Sequence, residues 1–348
     1  MSLSCGKIRV EELENGEGAS QMAKNVRAGL LSTPKDLSPW PKYFYDERGS
    51  KLFEEITTLP EYYQTRTEFS ILEEKAPEII ARTRCQELVE LGSGSASKTR
   101  PLLDAMSASR EEEGPKVGEA LRYVPLDISE SALRGSARGL LEEYPKLEIF
   151  GFVGDFERSL DCLLVHPRWA NAREVDGFGK LVIFLGGTLG NFTPGRQRSF
   201  LSTLRAGLKE RDYLLVGVDL VKDPRVLEAA YDDARGVTAS FNKNLLKVLN
   251  RRLGGQFDPE LFVHRAVYNP EESRIEMWLD SKVKQKVSVA ALDLEVPFEA
   301  GEGMRTEISA KFTRSMFELM LEEAGFAATA WYTDEANLFG LALGKTGA

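Results

Sequence analysis

Apolar and polar positions follow two regimes along this chain. From Cys85 to about residue 222, short apolar runs rich in Val, Leu and Ile alternate with stretches of helical spacing. The runs predict strands at 86–91, 121–126, 147–153, 180–186 and 212–218, each followed by a helical or capped segment. Strands that are apolar throughout and alternate with helices predict a parallel sheet covered on both faces. Polar residues close several of them: Asp127, Asp155, Asn191 just beyond Gly186-Gly187, and Asp219. Ligands of open α/β sheets bind beyond the carboxyl ends of the strands, so these residues are expected to share one crevice.

Outside this stretch the pattern changes. The first twenty residues are polar and are expected to fray, and a helical pattern runs from about Met22 to Leu31. A Pro-rich connection leads to the turn-like segment Tyr43–Ser50 and to a helix that starts near Leu52 and Phe53. A further helix is expected over 65–82, opened by Thr65 or Thr67, with Glu68 in capping-box position relative to Thr65. After about 222, residues 223–253 read as helical, and 262–268, 274–280 and 283–296 read as antiparallel strands. A final helix at 314–324 precedes a closing hairpin of Ala328–Thr333 and Leu338–Leu343. The expected organisation is one domain from 66–221 plus 311–348, and a second from 20–65 plus the inserted 222–310.

With 348 residues, 42% of them hydrophobic and 28% charged, the chain has the composition of an ordinary packed protein of one or two domains. A net charge of −9 argues against nucleic acid, which calls for clustered Lys and Arg. Three distant cysteines (Cys5, Cys85 and Cys162) show neither zinc spacing nor a disulfide framework, which suits a reducing compartment. No run resembles a secretory signal or a membrane span. A cytoplasmic, membrane-free monomer without a metal is therefore the expectation. The two histidines, His166 and His264, have no nucleophile signature nearby, so neither is expected to be catalytic.

Chemistry enters with Leu88–Thr99, where an apolar strand carrying Glu90 breaks at Gly92 and Gly94 and runs toward a helix. Glycines there let backbone approach a ligand closely. A dinucleotide turn would place its third glycine at 97 and its ribose acid about 20 residues on. Here position 97 is Ser, and the next strand-end acid, Asp127, lies 35 residues beyond Gly92. The turn resembles the first motif of S-adenosylmethionine (AdoMet) methyltransferases, which hold an amino-acid moiety and a ribose rather than a pyrophosphate. The local alternative is plain punctuation of the chain.

Further segments appear in order: Tyr45-Asp46 with Gly49-Ser50, Leu59–Tyr63 with Thr65–Glu68, Glu90–Lys98, Phe184–Asn191, Tyr231-Asp232-Asp233, Ile275–Trp278 and Thr306–Ser309. Together they resemble the histidine Nα-methyltransferases of ergothioneine biosynthesis, from about residue 25 to the C-terminus. The departures are longer polar insertions around 109–119 and 163–178. The resemblance implies a doubly wound, class I Rossmann-like AdoMet domain, a second α+β substrate domain, and three methyl transfers to the α-amine of L-histidine, giving the betaine hercynine.

It also implies roles, each with a local alternative. Gly92 would lie under the methionine moiety, and Lys98 would hold its carboxylate or position the loop, rather than being a solvated helix residue. Asp127 would accept from both ribose hydroxyls, or cap the next helix. Asp155 and Phe156 would meet the adenine. Asn191, Tyr231 and Tyr62 would donate to the substrate carboxylate. Glu307 and Ser309, spaced i, i+2 and so on one side of a strand, would bond the two ring nitrogens, although the local pattern by itself reads as a solvent face. Met277, Phe53 and Tyr45 would surround the amine, Phe53 chiefly as packing, and Tyr45 or water would relay protons. Competing readings are an N-methyltransferase of another amino acid such as tryptophan, a nicotinamide-dependent oxidoreductase and a non-catalytic binding module. The first would need an apolar residue in place of Glu307, and the second conflicts with Ser97.

Overall fold

The computed structural model describes residues 8–13, 19–113, 121–166 and 179–347. Most of the two polar insertions, at 114–119 and 167–178, lies outside the described residues. The central sheet has eight strands: β1 (Ile8–Glu12), β3 (Glu87–Leu91), β4 (Arg122–Asp127), β5 (Glu148–Val153), β6 (Lys180–Phe184), β7 (Tyr213–Asp219), β13 (Phe326–Thr333) and β14 (Phe339–Thr346). Their order is β1-β5-β4-β3-β6-β7-β14-β13, and every strand runs in one direction except β14, which is antiparallel to both of its neighbours. Every residue of β3 and β6 is buried, as the unbroken apolar runs require of strands covered on both faces.

Helices α3 (Tyr63–Thr83), α4 (Arg100–Glu113), α5 (Glu130–Glu143), α6 (Phe156–Val165), α7 (Pro194–Ala206) and α10 (Arg314–Glu323) accompany this sheet. One apolar cluster joins α3, α4 and α5 to one face, and a second joins α6, α7 and α10 to the other. The fold is therefore the doubly wound α/β architecture.

A second apolar cluster body lies beyond the carboxyl edge of the sheet. It draws on α1 (Ala19–Leu31), α2 (Glu47–Thr57), α8 (Pro224–Tyr231) and α9 (Val237–Leu253). It also draws on a sheet ordered β2-β12-β9-β8, made of Lys35–Asp36, Gly303–Ala310, Arg274–Ser281 and Phe262–Asn269. A separate hairpin, β10 (Gln285–Val289) with β11 (Leu294–Phe298), packs into the same cluster.

Three expectations need correction. The N-terminal segment is not frayed throughout, because Ile8–Glu12 pairs in parallel with β5 as the sheet's edge strand. The run 283–296 is two strands, since Asp293 takes a left-handed conformation (φ 46°) and turns the chain back. Glu68 is no capping-box residue. The helix begins at Tyr63, and the Glu68 carboxylate is buried, where it accepts from the Gly186 N–H (2.9 Å) and pairs with Lys98.

Candidate active site

The carboxyl edge of the sheet carries the Gly92 turn after β3, Asp127 at the end of β4, Asp155-Phe156 after β5, Gly186–Asn191 after β6 and Asp219 at the end of β7. The second body faces this edge. Its β12 continues into Phe312, whose N–H donates to Asp219 O (2.9 Å), so β12 is joined directly to β7. That junction brings residues 307–311 beside the sheet edge.

Gly92 has φ +78°, a conformation that strains any residue with a side chain, although a Cβ there would meet the Phe156 ring only at an ordinary contact distance of 3.5 Å. The turn folds over β4, with Gly92 N donating to Leu126 O (2.8 Å) and Gly94 N to Asp127 Oδ2 (2.8 Å). Beneath it Glu90 is buried and accepts from Thr99 (2.5 Å) and Tyr123, and burial pushes its carboxyl up to about 7. Asp127 also accepts from Ser129 N (2.8 Å), but Ser129 caps α5, so the helix-cap alternative for Asp127 does not hold. Burial raises the Asp127 carboxyl as well. Asp155 pairs with Lys42 (2.6 Å), and Phe156 packs edge-on against Phe184 (centroids 5.3 Å).

A β-bulge sets the opposite wall. Arg305 stands opposite Trp278, yet Glu307 stands opposite Met277, which leaves Thr306 as the extra residue. The Thr306 hydroxyl closes the gap by donating to Met277 O (3.1 Å). The bulge turns Glu307 and Ser309 onto the face of Met277 and Ile275, away from the polar face of Arg305 and Trp278. Glu307 Oε1 accepts from Asn191 Nδ2 (3.1 Å), whose other hydrogen goes to Ile308 O (2.8 Å). Burial pushes the Glu307 carboxyl up to about 7, against the opposing pull of Asn191 and Lys311.

Ser309 accepts from the Tyr231 hydroxyl (2.8 Å) and from Lys311 (2.8 Å). Lys311 also pairs with Asp219 (2.7 Å). Asp219 further accepts from Tyr63 (2.7 Å) and Lys222 (2.5 Å). Although burial opposes it, Lys311 and Lys222 hold the Asp219 carboxyl below its ordinary value, while burial lowers Lys222 to about 8.

Aromatic rings close the cleft. Tyr45 meets Phe53 and Phe241 edge-on, each with centroids 5.6 Å apart, and Phe53 meets Tyr62 at 6.1 Å. Tyr45 keeps 38% of its surface exposed while its ring packs on Phe53 and Phe241. Burial, then the charge of Glu307, raises the Tyr45 phenol well above its ordinary value. Met277 is 2% exposed and belongs to the second body's apolar cluster.

The structure thus gathers Tyr45, Phe53, Tyr62, Tyr231, Met277, Glu307 and Ser309 on one side of the cleft, and Asn191 reaches Glu307 from the sheet edge. Gly92, Asp127, Asp155 and Phe156 stand on the other side. Lys98 is committed to Glu68. Sequence reasoning placed Asp219 at the crevice but missed Lys311 and the pairing of Asp219 with Lys311, Lys222 and Tyr63, although Lys311 continues the period-two spacing of Glu307 and Ser309. Among the described residues, no group of three His, Cys, Asp or Glu side chains could hold a metal ion. Nor is any helix among them long and apolar enough to cross a membrane.

A doubly wound sheet closed by an antiparallel hairpin, with a glycine turn after its central strand and an acid ending the next, defines the class: an AdoMet-dependent methyltransferase. The family of SAM-dependent, histidine-specific methyltransferases matches residues 22–346. Over 325 residues the chain is 48% identical to the histidine N-alpha-methyltransferase of Mycolicibacterium smegmatis, covering 93% of this chain and 95% of that one. It is 46% identical over 330 residues to the protein of the same name from Mycobacterium tuberculosis, covering 94% and 96%. Ergothioneine biosynthesis protein 1 of Schizosaccharomyces pombe is 29% identical over 83% of this chain and 36% of that longer one. The chain belongs to the histidine-specific methyltransferase family.

Proposed function

We propose that this enzyme methylates the α-amine of L-histidine three times with AdoMet as donor, forming hercynine, a step of ergothioneine biosynthesis. The observation that carries the reading is the placement of Glu307 and Ser309 on one strand face, in the cleft that the Gly92 turn opens. In this reading 66–221 plus 311–348 hold AdoMet and 20–65 plus 222–310 hold histidine, in keeping with the separate apolar clusters.

The residues fit AdoMet. The Gly92 turn leaves room for backbone approach, Asp127 offers a carboxylate to the ribose hydroxyls, and Asp155 with Phe156 offers an acceptor and a ring face to the adenine. Lys98, held by Glu68, positions the loop rather than pairing with the ligand's carboxylate. When bound, AdoMet supplies a methyl group on a cationic sulfur.

The protein's part is to place a neutral amine in line with that methyl, an orientation effect of roughly 7–11 kcal/mol at best. Tyr62 has no hydrogen-bond partner for its hydroxyl among the described residues and is the ready donor to the substrate carboxylate. Asn191 donates to Glu307 and Ile308 and reaches that carboxylate only by exchanging a partner, while Tyr231 keeps its hydrogen on Ser309 and flanks the carboxylate without donating to it. One proton must leave in each of the first two rounds. Tyr45 is held protonated, so it relays through its hydroxyl and does not act as a phenolate base. The ring faces of Tyr45 and Phe53 suit the permanent cation of the product.

Mass spectrometry of histidine incubated with AdoMet and the purified protein tests the reading. A gain of three methyls on the amine is expected, and no methylated histidine would reject it. Glu307→Ala is expected to lower kcat/KM for histidine on the order of a hundredfold, because a bond to a charged acceptor is lost, while AdoMet affinity by calorimetry stays unchanged.

A further inference from the structure

Lys311 is 1% exposed, and the methyl-transfer chemistry above makes no use of it. Its ammonium has three hydrogens, and three acceptors surround it: Asp219 Oδ2 at 2.7 Å, Ser309 Oγ at 2.8 Å and the Tyr231 hydroxyl at 3.1 Å. The Tyr231 hydroxyl spends its own hydrogen on Ser309 Oγ at 2.8 Å. The Ser309 oxygen therefore accepts twice, and a hydroxyl has two acceptor positions. What remains is one hydrogen, for which the described residues provide no acceptor. Glu307, on the same strand face, accepts through Oε1 from Asn191 and has Oε2 without a donor among the described residues.

We propose that Lys311, anchored by Asp219, is a specificity-determining positioning residue that holds Ser309 as an obligate donor. Glu307 and Ser309 then form an acceptor–donor pair that recognises a five-membered ring carrying one N–H and one unprotonated nitrogen. This deepens the histidine reading and rests on it. A neutral imidazole satisfies both partners. An imidazolium presents a second N–H to an oxygen whose acceptor positions are filled. A pyrrole leaves the Ser309 hydrogen buried and unanswered, which is costlier than leaving it in water. Without Lys311 the serine hydroxyl regains an acceptor position, can turn, and distinguishes these rings less well.

Asp219 makes the arrangement rigid, because Tyr63 (2.7 Å) and Lys222 (2.5 Å) bond the same carboxylate. Lys222 also keeps Asp219 paired when Lys311 is replaced, so Lys311→Met removes the donor without stranding the acid. The experiment compares kcat/KM for L-histidine and for pyrrolylalanine, in which C–H replaces the unprotonated nitrogen. Wild type, Lys311→Met, Ser309→Ala and the double variant are measured, with AdoMet affinity by calorimetry as the check on folding.

Wild type is expected to prefer histidine by about 10³-fold or more, since a site built to bond a polar ring rejects an analogue lacking the group. Lys311→Met is expected to shrink that preference about tenfold, mainly through KM for histidine. Adding it to Ser309→Ala is expected to change the preference no further, as two residues acting through one bond require. An undiminished preference in Lys311→Met that still binds AdoMet overturns the proposal, as does a further loss in the double variant. If Lys311→Met does not fold, Tyr231→Phe decides, because it vacates one acceptor position on Ser309 while keeping Lys311 and Asp219. A relaxed preference supports the proposal and an unchanged one overturns it. Failure of the wild type to methylate histidine would instead overturn the functional reading.

Discussion

At the scale of single residues, the cleft is organised by carboxylates whose surroundings disagree with their charge. Burial raises Glu307 from its ordinary 4.5 to about 7, and Glu90 beneath the glycine turn behaves alike. Between about pH 4.5 and 7 the unfolded chain has released these protons while the folded protein still holds them. Their contribution to stability is thus fully present below about 4.5 and is lost as pH rises through 7. Glu307→Gln carries no such charge. The variant is expected to melt progressively higher than wild type as pH goes from 4.5 to 7.5, read by scanning calorimetry. A difference that stays flat with pH would contradict the burial argument.

The roles proposed for Glu307 and Ser309 come only from the company of the other motifs, because their local pattern suits a solvent face. Lys311 was not legible. A buried lysine shows itself only once Asp219, Tyr231 and Ser309, remote in sequence, stand around it.

Among elements, the parallel strands were legible because burial on both faces demands unbroken apolar runs. The bulge at Thr306 was not, since its cause is pairing with β9 rather than composition. The edge strand Ile8–Glu12 was hidden for a related reason. It alternates Ile8 and Val10 with charged residues over only five positions, is partly exposed, and is held by pairing with β5 and by Ile8 against an apolar cluster.

Close packing also ties elements to the site. In β7, a Cβ on Gly217 would lie 1.9 Å from Glu68 Oε1, so α3 presents its carboxylate to Gly186 and Lys98 only because position 217 has no side chain. Gly217→Ala is expected to cost about 1–3 kcal/mol by overpacking and to weaken AdoMet binding through the displaced Glu68–Lys98 pair. Urea unfolding and calorimetry measure the two effects, and a variant that matches wild type in both would refute this linkage.

For the whole molecule, the proposed function lies in the seam between a doubly wound sheet and a second apolar body. The sheet presents glycine turns and strand-end acids, and the second body presents aromatic rings and the Glu307–Ser309 face. In the proposed reading neither side by itself offers both a place for the methyl donor and a reader for the ring. The alternation of strands and helices announced the first side. The second is assembled from segments more than 260 residues apart, such as Tyr45 and Glu307, whose meeting no local pattern encodes. The central claim is that one cleft holds both ligands in register. It is tested most directly by the distances in a crystal structure of the complex with S-adenosylhomocysteine and L-histidine. The account predicts one imidazole nitrogen within hydrogen-bond distance of Glu307, the other facing Ser309, and the α-amine turned toward the sulfur above Gly92. An imidazole remote from Glu307, or an amine facing away from the sulfur, would contradict it.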